Sequence, residues 1–337
     1  MNMKKIIAIC LLAFLSLITF SCKDSVDKKY QGMPKELVSL CKLIDDNPND
    51  PDAYFKRASY YYNKGFIEEA LSDALQSVKL NSKNAGYYIL LSDIYFAKKE
   101  TDLTEEMLQK AIAIDSKNNE ARLKLAELYF HLKMLDECNK TLDEAIALKP
   151  HNPKAHLIRA FALKDVKDTT GYLRMLQLVI DQDPKEKKAY LELGYYYQQK
   201  LNPIAVNYYQ NALQVDPNDI EINYNLAKLY QDLGDKDNAI LQYKILLQID
   251  PDNANALNNL GYVYLVYEDK YDQAVSCFTK AIEVDSTFVN AICNRGIAFT
   301  YLKQYDNARQ DFLYCRKINP DFMPAIDELN KLDKIKK

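Results

Sequence analysis

The chain has 337 residues, 44 Lys and Arg against 47 Asp and Glu, and a formal net charge of −3. That balance excludes a chain-wide electrostatic footprint for nucleic acid, which needs a basic surface, and 48% hydrophobic residues exclude a disordered polymer. With only 8 Gly and 11 Pro, there is little material for β-hairpins or for a glycine-rich phosphate cradle.

In chain order, Lys4 and Lys5 precede 15 almost wholly apolar residues from Ile6 to Phe20, followed by Ser21, Cys22, Lys23 and Asp24. A positive start and an apolar run of about 7–15 residues is the layout of a secretory signal. It is shorter than the roughly 20 residues that span a bilayer. With a cysteine at the end of the apolar run, the stretch resembles a bacterial lipoprotein signal, in which the cysteine is acylated and becomes the first residue of the mature chain. That family usually has leucine three places before the cysteine and small residues between; here Thr19, Phe20 and Ser21 stand there. The resemblance implies a signal over 1–21 and a lipid on Cys22. It also implies an exported protein held at a membrane, expected to be the outer membrane, on its periplasmic or surface side. Several acyl chains on one cysteine make such attachment durable. Residues 22–33 read as a polar, flexible tether.

Five further cysteines follow, Cys41, Cys138, Cys277, Cys293 and Cys315. Their wide spacing prescribes no disulfide framework and no metal-ligand pattern, so packing as small core residues is the expected role.

Residues 34–50 predict a lone helix, with Leu37, Leu40, Cys41 and Ile44 on one face. From Pro51 to Phe322 one unit of about 34 residues is written eight times, starting at Pro51, Ala85, Asn119, Pro153, Lys187, Ile220, Ala254 and Val289. The eighth position of the unit is Ala58, Ser92, Ala126, Ala160, Gly194, Ala227, Gly261 and Gly296, small in every case. The eleventh is Tyr61, Tyr95, Tyr129, Leu163, Tyr197, Tyr230, Tyr264 and Phe299. The twentieth is Ala70, Thr104, Cys138, Tyr172, Ala205, Ala239, Ala274 and Ala308. Pro or Ser closes each unit, as a helix stop requires. Small residues at positions eight and twenty let two antiparallel helices approach, and the ring at position eleven fills the space beside them. Each helix is too short to be stable alone, so stacked neighbours must bury its remaining apolar face. Residues 323–337 predict a final helix that caps the stack.

This register resembles the tetratricopeptide repeat family, most clearly in Asn258–Asp285 (NNLGYVYLVYEDKYDQAVSCFTKAIEVD) and Tyr224–Pro251. The resemblance implies an all-α fold: a right-handed α-solenoid of eight helix-turn-helix units with a capping helix at each end. The fourth unit, with Leu163 for the ring and Tyr172 for the small residue, is expected to be distorted or looser.

In that family the first helix of each pair lines the concave side, so the resemblance nominates first-helix positions for binding. Position six is Asn225, Asn259 and Asn294 in three successive units. An asparagine amide offers an acceptor and two donors, which match the C=O and N–H of an extended peptide. Asn255, Asn258, Asn290, Tyr224, Tyr262 and Lys228 surround this ladder. The first four units carry an apolar stripe instead, Phe55, Tyr62, Ile89, Phe96, Leu123, Phe130, Leu157 and Phe161. It is read as packing between units in preference to a groove for an amphipathic helix.

Tether, caps and repeats leave no segment for a catalytic domain. His131, His151 and His156 are the only histidines and have no carboxylate or cysteine at ligand spacing, and no nucleotide, zinc or nucleophile motif occurs. No catalytic residue, metal or small-molecule cofactor is therefore assigned. The expected function is a membrane-anchored scaffold that binds protein or peptide partners in its groove and assembles or positions a cell-envelope complex. The alternatives are a glycan-binding surface lipoprotein, weakened by the absence of Trp and of long insertions, and a self-associating array.

Overall fold

Seven of the eight repeats open on a side chain that can cap a helix. Asp50, Asn84, Asn118, Asn152, Glu186, Asp219 and Asn253 each accept a hydrogen bond from a backbone N–H in the first turn that follows. Such caps satisfy donors that a helix start otherwise leaves orphaned. The computed structural model describes residues 29–335, and every regular element among them is helical. The proposed signal and Cys22 lie outside the described residues.

Contacts divide the chain into two compact units, meeting at Pro150 and His151. The first holds a capping helix, α1 (Lys35–Asp46), and three helix pairs: α2 (Pro51–Asn63) with α3 (Ile67–Leu80), α4 (Ala85–Ala97) with α5 (Thr101–Ile114), and α6 (Asn119–His131) with α7 (Leu135–Leu148). The second holds five pairs: α8 (Pro153–Asp165) with α9 (Thr169–Gln182), α10 (Lys187–Gln198) with α11 (Ile204–Val215), α12 (Ile220–Asp232) with α13 (Lys236–Ile249), α14 (Ala254–Tyr267) with α15 (Tyr271–Val284), and α16 (Val289–Tyr301) with α17 (Tyr305–Ile318). A last helix, α18 (Met323–Ile335), ends it. Within each unit, a second helix packs on its own first helix and on the first helix of the next repeat. The eight first helices start at Pro51, Ala85, Asn119, Pro153, Lys187, Ile220, Ala254 and Val289.

The turn inside each pair is also repeated. One residue per turn has positive φ: Gly65, Lys99, Lys133, Lys167, Leu201, Gly234, Asp269 and Lys303. The residue after it donates its backbone N–H to the carbonyl of position eleven, as in Glu100 to Tyr95 at 2.9 Å and Gln304 to Phe299 at 2.8 Å. This bond ties off a first-helix carbonyl. Six of the eight turns place a residue with a Cβ in the left-handed region. That costs an L-residue roughly 1–2 kcal/mol, against about 0.5–1 kcal/mol of extra chain entropy for glycine. Leu201→Gly, at an exposed turn with φ 50°, is therefore expected to stabilise by about 0.5–1 kcal/mol. Urea unfolding followed by circular dichroism checks the sign.

Position eight works as a contact for one side chain of the second helix. A Cβ added to Gly261 would lie 2.7 Å from the ring of Phe278, one on Gly296 2.6 Å from Phe312, and one on Gly194 2.6 Å from Tyr209. Position eight is alanine in four repeats, and the matching second-helix residue is Leu142 in the third, Leu176 in the fourth, Ala74 in the first and Tyr243 in the sixth, all fully buried. Glycine meets a ring in all three of its repeats, whereas alanine meets a smaller side chain in three of its four.

Two expectations need correction. The fourth pair is not loosened: α8 and α9 have 13 and 14 residues and pack directly on each other. Leu163 is smaller than the ring it replaces, and a Cβ on Gly171 would sit 3.1 Å from its Cδ1. Tyr172 beside this glycine is buried, and its phenol donates to Glu192 Oε2 at 2.6 Å. Burial and that carboxylate hold the phenol well above its ordinary pKa. The tether is also shorter at its described end than residues 22–33 suggested. Tyr30 is 6% exposed, and Tyr30 and Lys29 both donate to the carboxylate of Asp45 on α1.

A candidate peptide-binding groove

Successive first helices in the second unit touch one another directly, α10 with α12, α12 with α14, and α14 with α16. Side chains one repeat apart therefore come within bonding reach. Asn294 Nδ2 donates to Asn258 Oδ1, Asn258 Nδ2 to Asn259 Oδ1, and Asn259 Nδ2 to the Tyr224 hydroxyl, each at 3.1 Å. These bonds form a relay across three repeats.

The relay revises the ladder expected from sequence. Asn259 and Asn294 are brought together, but each has already committed part of its amide to neighbours. Asn258, buried at 9% exposure, is the bridge between them. Asn259 also lies against the phenol of buried Tyr243, whose pKa is raised by desolvation. Asn225 stands apart: it is half-buried on α12, and its amide has no hydrogen-bond partner among the described residues.

Asn255 and Asn290 are exposed, one turn before the relay on α14 and α16. Lys228 forms an ion pair with Asp232 one turn away, 3.2 Å from either carboxylate oxygen. An exposed pair of this kind contributes only about 0.3–0.5 kcal/mol, so the ammonium remains available to a ligand. Tyr262 is partly exposed, its ring 6.4 Å from that of Tyr267. Tyr301 is exposed and stacks on Tyr271 with ring centroids 4.8 Å apart and an interplanar angle of 4°. Val266, one turn after Tyr262 on α14, is exposed as well. Sequence reasoning found Tyr224 and Tyr262 but missed Val266, Tyr267 and Tyr301, which stand at the ends of their helices, past the nominated positions. Exposed apolar residues recurring at the ends of successive first helices were the available signal.

Of the apolar stripe of the first four repeats, Ile89 is buried, Phe96 exposed, and Phe55, Tyr62, Leu123, Phe130, Leu157 and Phe161 half-buried. Phe55 packs on Tyr87 with centroids 5.2 Å apart. Phe96 remains exposed beside the ion pair of Lys124 and Asp93 at 2.7 Å. With Leu108, Leu128 and His131 these residues line a cavity of about 180 Å3. In the other unit, Glu268, in the turn after α14, pairs with Lys236 of α13 at 2.6 Å and with Lys270 of the same turn at 2.7 Å, which pull its carboxyl down to about 2. It borders a further cavity of about 470 Å3 between α13 and α15. Among the described residues no cluster of His, Cys, Asp and Glu is placed to hold a metal ion. No helix among them is long and apolar enough to cross a membrane.

Models of the tetratricopeptide repeat match residues 95–161 and 254–288, and a TPR repeat model matches residues 195–234 and 232–266. This chain belongs to the tetratricopeptide repeat family. Among relatives of this tetratricopeptide repeat protein, the lipoprotein NlpI homolog of Haemophilus influenzae is 35% identical over 92 residues, 27% of this chain and 29% of that one. The DnaJ protein P58IPK homolog A of Oryza sativa is 27% identical over 194 residues, 53% of this chain and 41% of that one. The chain thus spans less than half the length of either relative. The fold is shared with the C-terminal part of a TPR repeat-containing protein from Cytophaga hutchinsonii. That likeness has a TM-score of 0.60 and 16% identity, and covers 70% of this chain and 97% of that one.

Proposed function

We propose that this tetratricopeptide repeat chain is an exported adaptor, anchored through a lipid on Cys22, that grips an extended segment of a partner protein on the first-helix face of its second unit. Its task on this reading is to assemble or position a cell-envelope complex, without catalysis of its own. The observation that carries the groove is the amide relay of Tyr224, Asn259, Asn258 and Asn294, which orients side chains over three repeats beside the unengaged amide of Asn225. Preorganised amides lose little freedom when a ligand binds, so more of each hydrogen bond appears as affinity. Exposed Tyr262, Val266 and Tyr267 on α14 and Tyr301 on α16 offer such a ligand apolar area to bury. The anchor is supported by the signal-like residues 1–22 and by the likeness to a protein named as a lipoprotein.

The relay also dictates the test. Replacing Asn259 or Asn294 strands the buried Asn258, so loss of binding there mixes with loss of local structure. Asn225→Ala removes an amide with no internal partner. A photo-crosslinking amino acid at Tyr262, irradiated in living cells, should yield one discrete protein adduct. Adding Asn225→Ala should weaken binding of that protein about 5- to 100-fold, the worth of one or two hydrogen bonds, with an unchanged circular dichroism spectrum. No adduct at Tyr262, with adducts only from Phe96, would move the site to the first unit. Saturable heat with oligosaccharides and no protein adduct would replace the reading with glycan capture.

A further inference from the structure

In the eighth repeat, the ring of Phe312 on α17 lies directly on Gly296 of α16, with 2.6 Å between its Cε1 and a Cβ built on the glycine. Cys293 precedes that glycine by three residues, and Cys315 follows that ring by three. In antiparallel helices these offsets run in opposite directions along the chain and in the same direction in space, so the cysteines face each other about one turn from the contact. Two observations agree. Cys315 Sγ is 3.5 Å from the carbonyl oxygen of Val289, the one that receives the backbone N–H of Cys293 within the helix. The Cys315 thiol also acts on that of Cys293, whose pKa is pushed up by this neighbour and by burial. Both belong to one apolar cluster, with Cys293 at 2% and Cys315 at 0% exposure. The same two places hold Asn258 and Ala281 in the seventh repeat and Tyr224 and Leu246 in the sixth. Two sulfurs there are therefore not demanded by the repeat.

We propose that Cys293 and Cys315 are an oxidisable thiol pair that closes into an intramolecular disulfide and staples the two helices of the last repeat. The oxidant is a disulfide of the glutathione class. One cysteine thiolate attacks the oxidant's sulfur–sulfur bond, forming a mixed disulfide and releasing one glutathione thiolate. The second cysteine thiolate attacks the protein sulfur of that mixed disulfide, the protein disulfide forms, and the second glutathione leaves as its thiolate. The two protons lost by the cysteines end on the two glutathiones, and the two electrons reduce the glutathione disulfide. Ala325, Leu329 and Leu332 of α18 are buried in the same cluster. The oxidant therefore gains access when α18 lifts from the repeat. The rate of closure is set by that opening, and the product holds the repeat in its packed form.

The test is peptide mapping of the full chain after incubation with oxidised glutathione, alkylation and trypsin. The expected product joins residues 281–295 to residues 310–316 with the loss of two hydrogens, and dithiothreitol separates them. The linked protein should melt several degrees higher than the reduced one, because a closed loop restricts the unfolded chain. Leu329→Ala, which loosens α18 without touching either cysteine, should speed linkage about tenfold or more. Single glutathione adducts without a link, links through Cys277, or no link even in Leu329→Ala would each overturn the proposal.

Discussion

Truncating Asp73 to alanine should cost about 3–5 kcal/mol. Asp73 on α3 takes both ends of the Arg57 guanidinium, Nε at 2.6 Å and Nη2 at 2.9 Å, and Arg57 also reaches Cys41 of α1 at 3.4 Å. The side chains are 21% and 8% exposed, so removing the carboxylate leaves a largely desolvated cation with no acid partner. The pair joins the capping helix to the first repeat, and both should unravel together. The attraction itself is a smaller quantity than this loss. The second repeat fills the same two places with Leu91 and Met107, both buried. Arg57→Leu with Asp73→Met should therefore lie within about 1 kcal/mol of the natural protein, since apolar replacement of a buried pair is often neutral or better. Hydrogen exchange over α1–α3, with urea unfolding of the full chain, reads both variants. Equal losses from the single and double changes would show that the place requires charge. Arg295 and Asp311 repeat the arrangement at 2.9 and 2.7 Å in the last repeat, which also faces a cap instead of another repeat.

Gly261→Ala should destabilise by up to about 2 kcal/mol although alanine is the better helix former. Helix propensity favours alanine by about 1 kcal/mol. Against it, the new methyl would meet three ring atoms of Phe278 at 2.7–3.0 Å, and overpacking of a fixed core group costs about 1–3 kcal/mol. The ring is fully buried and cannot swing aside. Phe278→Leu alone opens a cavity of its own. The two changes together recreate the Ala126 and Leu142 contact of the third repeat. The double variant should therefore be more stable than the sum of the single losses predicts, by about 1–3 kcal/mol. A double-mutant cycle by chemical unfolding measures that coupling, and additivity would mean that the ring and the glycine do not share one space.

The repeat was legible because its chemistry recurs in register. A small residue at position eight and a ring at position eleven report backbone approach directly, and Pro or Ser near the end of each unit marks the helix stop. Compensation within a repeat was harder to read. Gly261 and Ala126 look equivalent as small residues until Phe278 and Leu142 are seen opposite them. Tyr172 looked disruptive because Gly171 and Leu163, which make room around it, lie one and nine residues away in sequence. In the groove, the period located Asn225, Asn259 and Asn294, but no period reveals that Asn258 would bridge two of them. That depends on side-chain torsions, which spacing does not specify. The facing of Cys293 and Cys315 was hidden for a related reason: 22 residues separate them in sequence, and only the antiparallel pairing makes them neighbours.

The anchoring of Tyr30 against α1 has a consequence in reach. Under the proposed acylation, Tyr30, the first buried side chain among the described residues, is the eighth residue after the lipid-bearing Cys22. A chain of that length extends at most about 26–29 Å, comparable with the thickness of a bilayer's hydrocarbon core. The capping helix would then work within about 30 Å of the membrane surface. A partner engaged near that end would have to present its own segment in this narrow layer, whereas lengthening the leash by inserted residues would widen the layer without altering a single contact in the fold.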